Sequence, residues 1–145
     1  MIPLPFILAA EDDEDDQMLL QNVFEEDGYK AKLEFVGNGV ELMKKLENID
    51  SFPNLILLDL NMPKMDGREA LKKIKENPSY AHIPVVIFST TKNEKEIKLC
   101  YELGASSYLV KPSNYSSFLE VIDAIKKFCN NLLQQETNLT KAMPQ

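Results

Sequence analysis

Four short stretches of this chain carry side chains able to do chemistry. They are the acidic run Glu11-Asp-Asp-Glu-Asp-Asp16, Asp59 within Asp59-Leu-Asn-Met-Pro-Lys-Met-Asp-Gly67, the hydroxyls Ser89-Thr-Thr91, and Lys111-Pro112. Clustered carboxylates repel one another, so they tend to hold a proton or a cation. Hard oxygen donors of this kind suit Mg²⁺, which keeps several waters and favours phosphate oxygens. A carboxylate is also a nucleophile toward phosphorus and can form an aspartyl phosphate. A phosphoryl group on Asp59 would spread charge over its oxygens. Mg²⁺, the Lys111 ammonium and the Ser89 hydroxyl are the groups placed to balance it, with backbone N–H groups of the loop after Asp59 adding to them.

These residues are far apart in sequence, so only the fold can bring them together. Phe6-Ile-Leu-Ala-Ala, Leu55-Ile-Leu-Leu-Asp-Leu and Val85-Val-Ile-Phe-Ser are short apolar runs without alternation, as expected of strands buried on both faces. Leu33-Glu-Phe-Val is a weaker strand and Ser107-Tyr-Leu-Val a fifth. Helical spacing links Met18, Leu19, Leu20, Val23 and Phe24, with a stop at Asp27-Gly28. It recurs in Val40, Leu42, Met43, Leu46 and Ile49, and in Ala70, Leu71 and Ile74 before Asn77-Pro78. Ile97, Leu99, Cys100 and Leu103 mark a fourth helix before Gly104, and Phe118, Val121, Ile122, Ile125, Phe128 and Leu132 a fifth.

The strand–helix unit therefore repeats five times, which predicts an α/β fold with a parallel sheet between helix layers. Right-handed crossovers narrow the topology to a flavodoxin-like (βα)5 three-layer sandwich with strand order 2-1-3-4-5. In that order strands 1 and 3 are neighbours at the switch point, and all four chemical stretches follow strand C-termini. Residues 1–131 are expected to form one domain. The polar tail 132–145 is expected to finish the last helix in one turn and then be disordered.

Composition excludes several classes. The chain has 145 residues, a net charge of −7, 2 Cys and 1 His. The negative charge argues against nucleic acid as a partner. One histidine, His82, leaves no multi-histidine metal site and no Ser-His-Asp hydrolase. No apolar run approaches the roughly 18 residues of a membrane span. The apolar start has no Lys or Arg before it and is broken by prolines, unlike a signal peptide. A cytoplasmic protein with no membrane partner, and with Cys100 and Cys129 as reduced core thiols, is the expectation.

Asp59-Leu-Asn-Met-Pro-Lys-Met-Asp-Gly67 resembles the phosphoacceptor loop of response-regulator receiver domains. Glu11-Asp12, Ser89 and Lys111-Pro112 match that family in order and spacing, over roughly residues 5–131. The acidic run, Tyr101-Glu-Leu-Gly-Ala and Ser-Tyr-Leu-Val-Lys-Pro are similar to stand-alone receivers that serve phytochrome-type sensor kinases. The resemblance implies that Asp59 accepts a phosphoryl group from a histidine kinase or phosphotransfer protein. It implies Mg²⁺ or Mn²⁺ held by Asp12, by Glu11 through water, by Asp59 and by the backbone carbonyl of Asn61. Lys111 and Ser89 would contact the phosphoryl group, and Tyr108 would be the switch aromatic that turns inward. Thr90 and Thr91 would follow the switch hydroxyl, the second influencing acyl-phosphate lifetime. The Lys111–Pro112 peptide would be cis. The altered face of helix 4, strand 5 and helix 5 would bind a downstream protein or a second copy as a homodimer.

Plainer readings compete with some of these. Asp15 and Asp16 read as a solvated acidic helix start, because acids favour helix N-termini. Asp13 and Glu14 read as capping or first-turn residues, and Asp66-Gly67 as a turn that shapes the loop. Gly37-Asn-Gly39 lacks a phosphate-loop pattern and reads as a tight turn. A small phosphohydrolase with an Asp nucleophile is a rival function, but Asn61 stands where such enzymes carry a general acid. An unphosphorylated scaffold is another, although the set of site residues is complete.

Overall fold

The computed structural model describes residues 4–142. Five strands alternate with five helices: β1 Phe6–Ala10, α1 Glu14–Glu25, β2 Lys32–Val36, α2 Gly39–Glu47, β3 Leu55–Leu58, α3 Gly67–Glu76, β4 Val85–Ser89, α4 Glu94–Glu102, β5 Ser107–Val110 and α5 Tyr115–Ala142. The strands form one parallel sheet in the order β2-β1-β3-β4-β5. This is the flavodoxin-like arrangement expected from the sequence.

The absence of alternation in β1, β3 and β4 has a simple cause: each face of the sheet meets its own helix layer. Phe6, Leu8, Ala10, Ile56, Leu58, Val85 and Ile87 pack with Leu42, Leu46, Leu71, Ile74 and Cys100 from α2, α3 and α4. Ile7, Ala9, Leu55, Leu57, Val86 and Phe88 point the other way, onto Leu20, Val23 and Phe24 of α1 and Phe118, Ile122, Ile125 and Cys129 of α5. Fully burying each such aliphatic side chain contributes about 1.5–3 kcal/mol.

All five helix starts are capped by Asp or Asn. Asp13 accepts from Asp15 and Asp16 N–H, Asn38 from Glu41, Asp66 from Glu69, Asn93 from Lys95 and Glu96, and Asn114 from Ser117. Each cap is worth about 1 kcal/mol. After α1, Gly28 adopts φ 71°, the left-handed backbone that glycine takes without strain.

Two helices bury less than their apolar spacing offers, and one expectation is overturned. Met18 and Leu99 have helical spacing but are exposed, so α1 buries only Leu20, Val23 and Phe24, and α4 only Cys100. The last helix does not end one turn after Asn131. It continues to Ala142, because Leu133 extends the buried stripe of Ile122, Ile125 and Cys129 and no Gly or Pro interrupts residues 132–142. Polarity alone does not end a helix. The last three residues of the expected tail lie outside the described residues.

Candidate functional site

The backbone ladder continues past the strand ends and brings the chemical residues to one edge. Glu11 N–H donates to Val36 O at 2.9 Å, Asp59 N–H to Ala10 O at 3.1 Å, and Lys111 N–H to Ser89 O at 2.8 Å. β1 and β3 are neighbours in the sheet, so Glu11-Asp12 and Asp59 meet where the strand order reverses, as open α/β sheets favour for ligand sites.

Carboxylate oxygens of Glu11, Asp12 and Asp59 all lie within 4.8 Å of one another. Glu11 and Asp59 are buried and Asp12 is exposed. Lys111 reaches in from the end of β5. Its Nζ donates to Glu11 Oε1, to Asp59 Oδ2 at 3.1 Å and to Asp16 Oδ2 at 3.0 Å. Asp59 Oδ1 also accepts from Asn61 N–H at 3.2 Å, and Glu11 Oε2 from Asp13 N–H at 3.2 Å.

Electrostatics follow from crowding and burial. Burial pushes Glu11 up to about 7 despite Lys111 pulling it down, with the charge of Asp59 adding to the rise. Burial alone would lower Lys111. Its bond to Glu11 and the charges of Asp59 and Glu11 outweigh this and hold it above the ordinary lysine value. Several carboxylates around one ammonium leave a local excess of negative charge. Oxygen donors at this spacing fit a hard divalent cation of the Mg²⁺ type, with Glu11, Asp12 and Asp59 as the residues that would hold it.

Beside the acids lies a cluster of hydroxyls. Ser89 is buried at the end of β4, and its Oγ accepts from Thr91 N–H at 3.4 Å. Thr91 Oγ1 accepts from Asn61 Nδ2 at 3.4 Å, while Thr90 is exposed. Tyr108 is buried, with its hydroxyl donating to Thr91 O at 2.7 Å and its N–H donating to the Tyr101 hydroxyl at 3.0 Å. The ring therefore lies inward and is tied to the segment between β4 and α4.

The loop after Asp59 is held by close backbone packing. Gly67 N–H donates to Leu60 O at 3.0 Å, and a Cβ on Gly67 would come within 2.2 Å of Asp59 O. Only glycine permits that approach. Lys64, in the same loop, has φ 66°, a left-handed conformation uncommon for a side-chain-bearing residue.

Two expectations change here. No peptide bond among the described residues is cis, so Lys111–Pro112 is trans. Trans is the lower-energy isomer of an X–Pro bond by about 0.5–1 kcal/mol, and Lys111 reaches all three carboxylates with it. Asp16 is not merely a solvated helix-start acid, since it binds Lys111. The sequence offers little sign of that contact, because a first-turn acid is already explained by the helix dipole. The Tyr101–Tyr108 and Thr91–Tyr108 contacts carry no sequence pattern either.

With the geometry in place, comparisons with known proteins are informative. The profile described as "Response regulator receiver domain" matches residues 7–123. Response regulator Rcp1 of Synechocystis sp. is 37% identical over 131 residues, covering 87% of this chain and 89% of that protein. The crystal structure of the phosphorylated cyanobacterial phytochrome response regulator RcpA superposes with a TM-score of 0.83 at 36% identity, covering 88% of this chain and 94% of that one. The Mn²⁺-bound form of Rcp1 gives a TM-score of 0.79 at 37% identity, over 86% and 93% of the two chains. On its fold, its acidic pocket and these matches, the protein belongs to the family of response regulator receiver domains of two-component signalling.

Proposed function

We propose that this receiver accepts a phosphoryl group on Asp59 from a histidine kinase, or from a phosphotransfer protein, and passes the signal on by protein contact. The observation that carries this reading is the meeting of Glu11, Asp12, Asp59 and Lys111 at the C-terminal edge of the sheet. The similarity to phytochrome response regulators points to a light-sensing kinase of that type as partner.

In the proposed reaction a carboxylate oxygen of Asp59 attacks the phosphorus of a phosphohistidine. The P–N bond breaks, its electron pair stays on the imidazole nitrogen, and that nitrogen takes up a proton. Asp12 and Asp59 would bind Mg²⁺ or Mn²⁺ directly, Glu11 would act through water, and the Asn61 carbonyl would complete the set. A bound cation of this kind neutralises charge shared by the acceptor and the phosphoryl oxygens. Lys111 would follow those oxygens as a fixed positive charge, and Ser89 would donate its hydroxyl to them.

Drawing Ser89 toward the phosphoryl group would change its bond from Thr91 N–H. Thr91 also holds the Tyr108 hydroxyl, so this movement would reach the start of α4 and the face formed by α4, β5 and α5. The change is a population shift between two packings. That face would meet a downstream protein or a second copy of the chain. Thr90 and Thr91 would border the acyl phosphate and influence its lifetime.

No helix among the described residues is long and apolar enough to cross a membrane. We place the protein in the cytoplasm, with its buried Cys100 and Cys129 reduced.

Beryllofluoride with Mg²⁺, as a phosphoryl mimic, tests the reading. Backbone NMR signals of Ser89, Thr91, Tyr108 and the start of α4 are expected to move together. Unchanged spectra at saturating mimic would defeat it.

A further inference from the structure

We propose that Asp16 is a positioning residue that holds the Lys111 ammonium at the site while the other two carboxylates are engaged. The inference rests on the function proposed above and concerns a residue that the family resemblance did not assign. The Lys111 side chain is 7% exposed and its three donors meet three carboxylates: Glu11, Asp59 and Asp16. Glu11 and Asp59 belong to the oxygen cluster suited to a cation, and Asp59 is also the proposed phosphoryl acceptor. Both therefore change their bonding when the site is loaded.

Asp16 lies outside that cluster. It stands in the first turn of α1, where Asp13 Oδ1 accepts its N–H at 3.2 Å, so its backbone is fixed by the helix cap. Its contact with Lys111 spans 95 positions of sequence and ties α1 to the end of β5. An ammonium with a remaining anionic partner keeps its orientation, whereas one released by Glu11 and Asp59 recovers rotamer freedom. Lysine, with its long flexible stem, has more rotamer freedom to recover than most side chains. Asp16 thus keeps Lys111 aimed at the incoming phosphoryl oxygens, and acts only through it.

A double-mutant cycle tests this. Asp16→Ala, Asp16→Asn, Lys111→Met and the double variant Asp16→Ala/Lys111→Met are treated with phosphoramidate at saturating Mg²⁺, and the rate of acyl-phosphate formation is followed by intact mass. Asp16→Ala is expected to slow the reaction about tenfold, the scale of losing one hydrogen bond to a charged group. Asp16→Asn, which keeps an acceptor oxygen, recovers part of the rate. In the Lys111→Met background Asp16→Ala should change nothing further. The second readout needs neither cation nor donor: in EDTA the shift in urea midpoint caused by Asp16→Ala should likewise shrink when Lys111 is absent. An unchanged rate in Asp16→Ala, or the same fold-loss with and without Lys111, overturns the proposal. Wild type that takes up no phosphoryl group overturns the function proposed above instead.

Discussion

Replacing Lys111 by methionine exposes the electrostatic logic of the site. In the metal-free protein Lys111 is the cation bound to Glu11, Asp16 and Asp59, at 3.0 Å and 3.1 Å from the latter two. At an effective dielectric of about 20, each such pair is worth roughly 5 kcal/mol in gross attraction. Much of this is offset by the desolvation of an ammonium that the protein keeps buried. Removing one partner still leaves Glu11 and Asp59 as buried charges with no cation, a loss of about 3–5 kcal/mol. Proton uptake caps the damage, since Glu11 already titrates near 7 and climbs further without the lysine. A carboxyl raised in the folded state stays protonated at pH values where the unfolded chain has lost its proton. The folded state then holds more protons than the unfolded one, so stability falls as pH rises through that window. Lys111→Met should therefore cost about 3 kcal/mol at pH 8, or roughly 6–12 °C in Tm for a chain of this size. The loss should be clearly smaller at pH 5.5. Urea denaturation in EDTA at the two pH values measures it, and added Mg²⁺ should recover part of the loss at pH 8. A variant as stable as wild type at pH 8 without metal would show that lysine desolvation cancels the attraction, and the predicted loss would fail.

Other predictions concern the scaffold and its chemistry. Gly67→Ala drives a methyl group to 2.2 Å from Asp59 O and 2.8 Å from Leu60 Cα, backbone atoms that cannot rotate away. It should cost about 1–3 kcal/mol and slow phosphorylation, whereas Gly37→Ala, which meets only the movable Glu41 carboxylate, should do neither. Thermal melts and intact-mass kinetics report both. Burial raises the Cys129 thiol from its ordinary 9.0 to about 12, so between those values the folded protein keeps a proton that the unfolded chain gives up. Stability should fall there by about 1.4 kcal/mol per pH unit, and urea midpoints in Cys129→Ala should lack that component. Tyr108→Phe removes the hydroxyl bonded to Thr91 O and should cost about 0.5–1.5 kcal/mol, read by urea denaturation.

Much of the architecture can be read from the chain because burial on both sheet faces writes itself as unbroken apolar runs. Ile7 and Leu8 serve opposite helix layers, and neither can be polar. Once three such runs and two weaker strands, Leu33-Glu-Phe-Val and Ser107-Tyr-Leu-Val, alternate with helices, strand order follows from handedness, and the acids fall at one edge. Helix extents are less legible. Met18 and Leu99 obey the helical period yet face outward, since periodicity marks a stripe and does not say how wide a stripe its neighbours cover. The end of α5 was obscured because polar residues of good helix propensity look alike in a helix and in a disordered tail. Asp16 shows the same difficulty at the site. Its local role as a first-turn acid is sufficient by itself, and its long-range bond to Lys111 leaves no trace in spacing. The trans Lys111–Pro112 bond is a further case: two isomers this close in energy are selected by tertiary surroundings, which spacing does not encode.

Asp59 is proposed as the nucleophile of a cation-assisted phosphoryl acceptor. Intact-mass and peptide-level spectrometry after exposure to a small phosphodonor addresses it most directly. One phosphoryl group should appear, on the peptide containing Asp59, only with Mg²⁺ or Mn²⁺ present, and not at all in Asp59→Asn. Label on another residue, or equal labelling in EDTA, would overturn that role for Asp59.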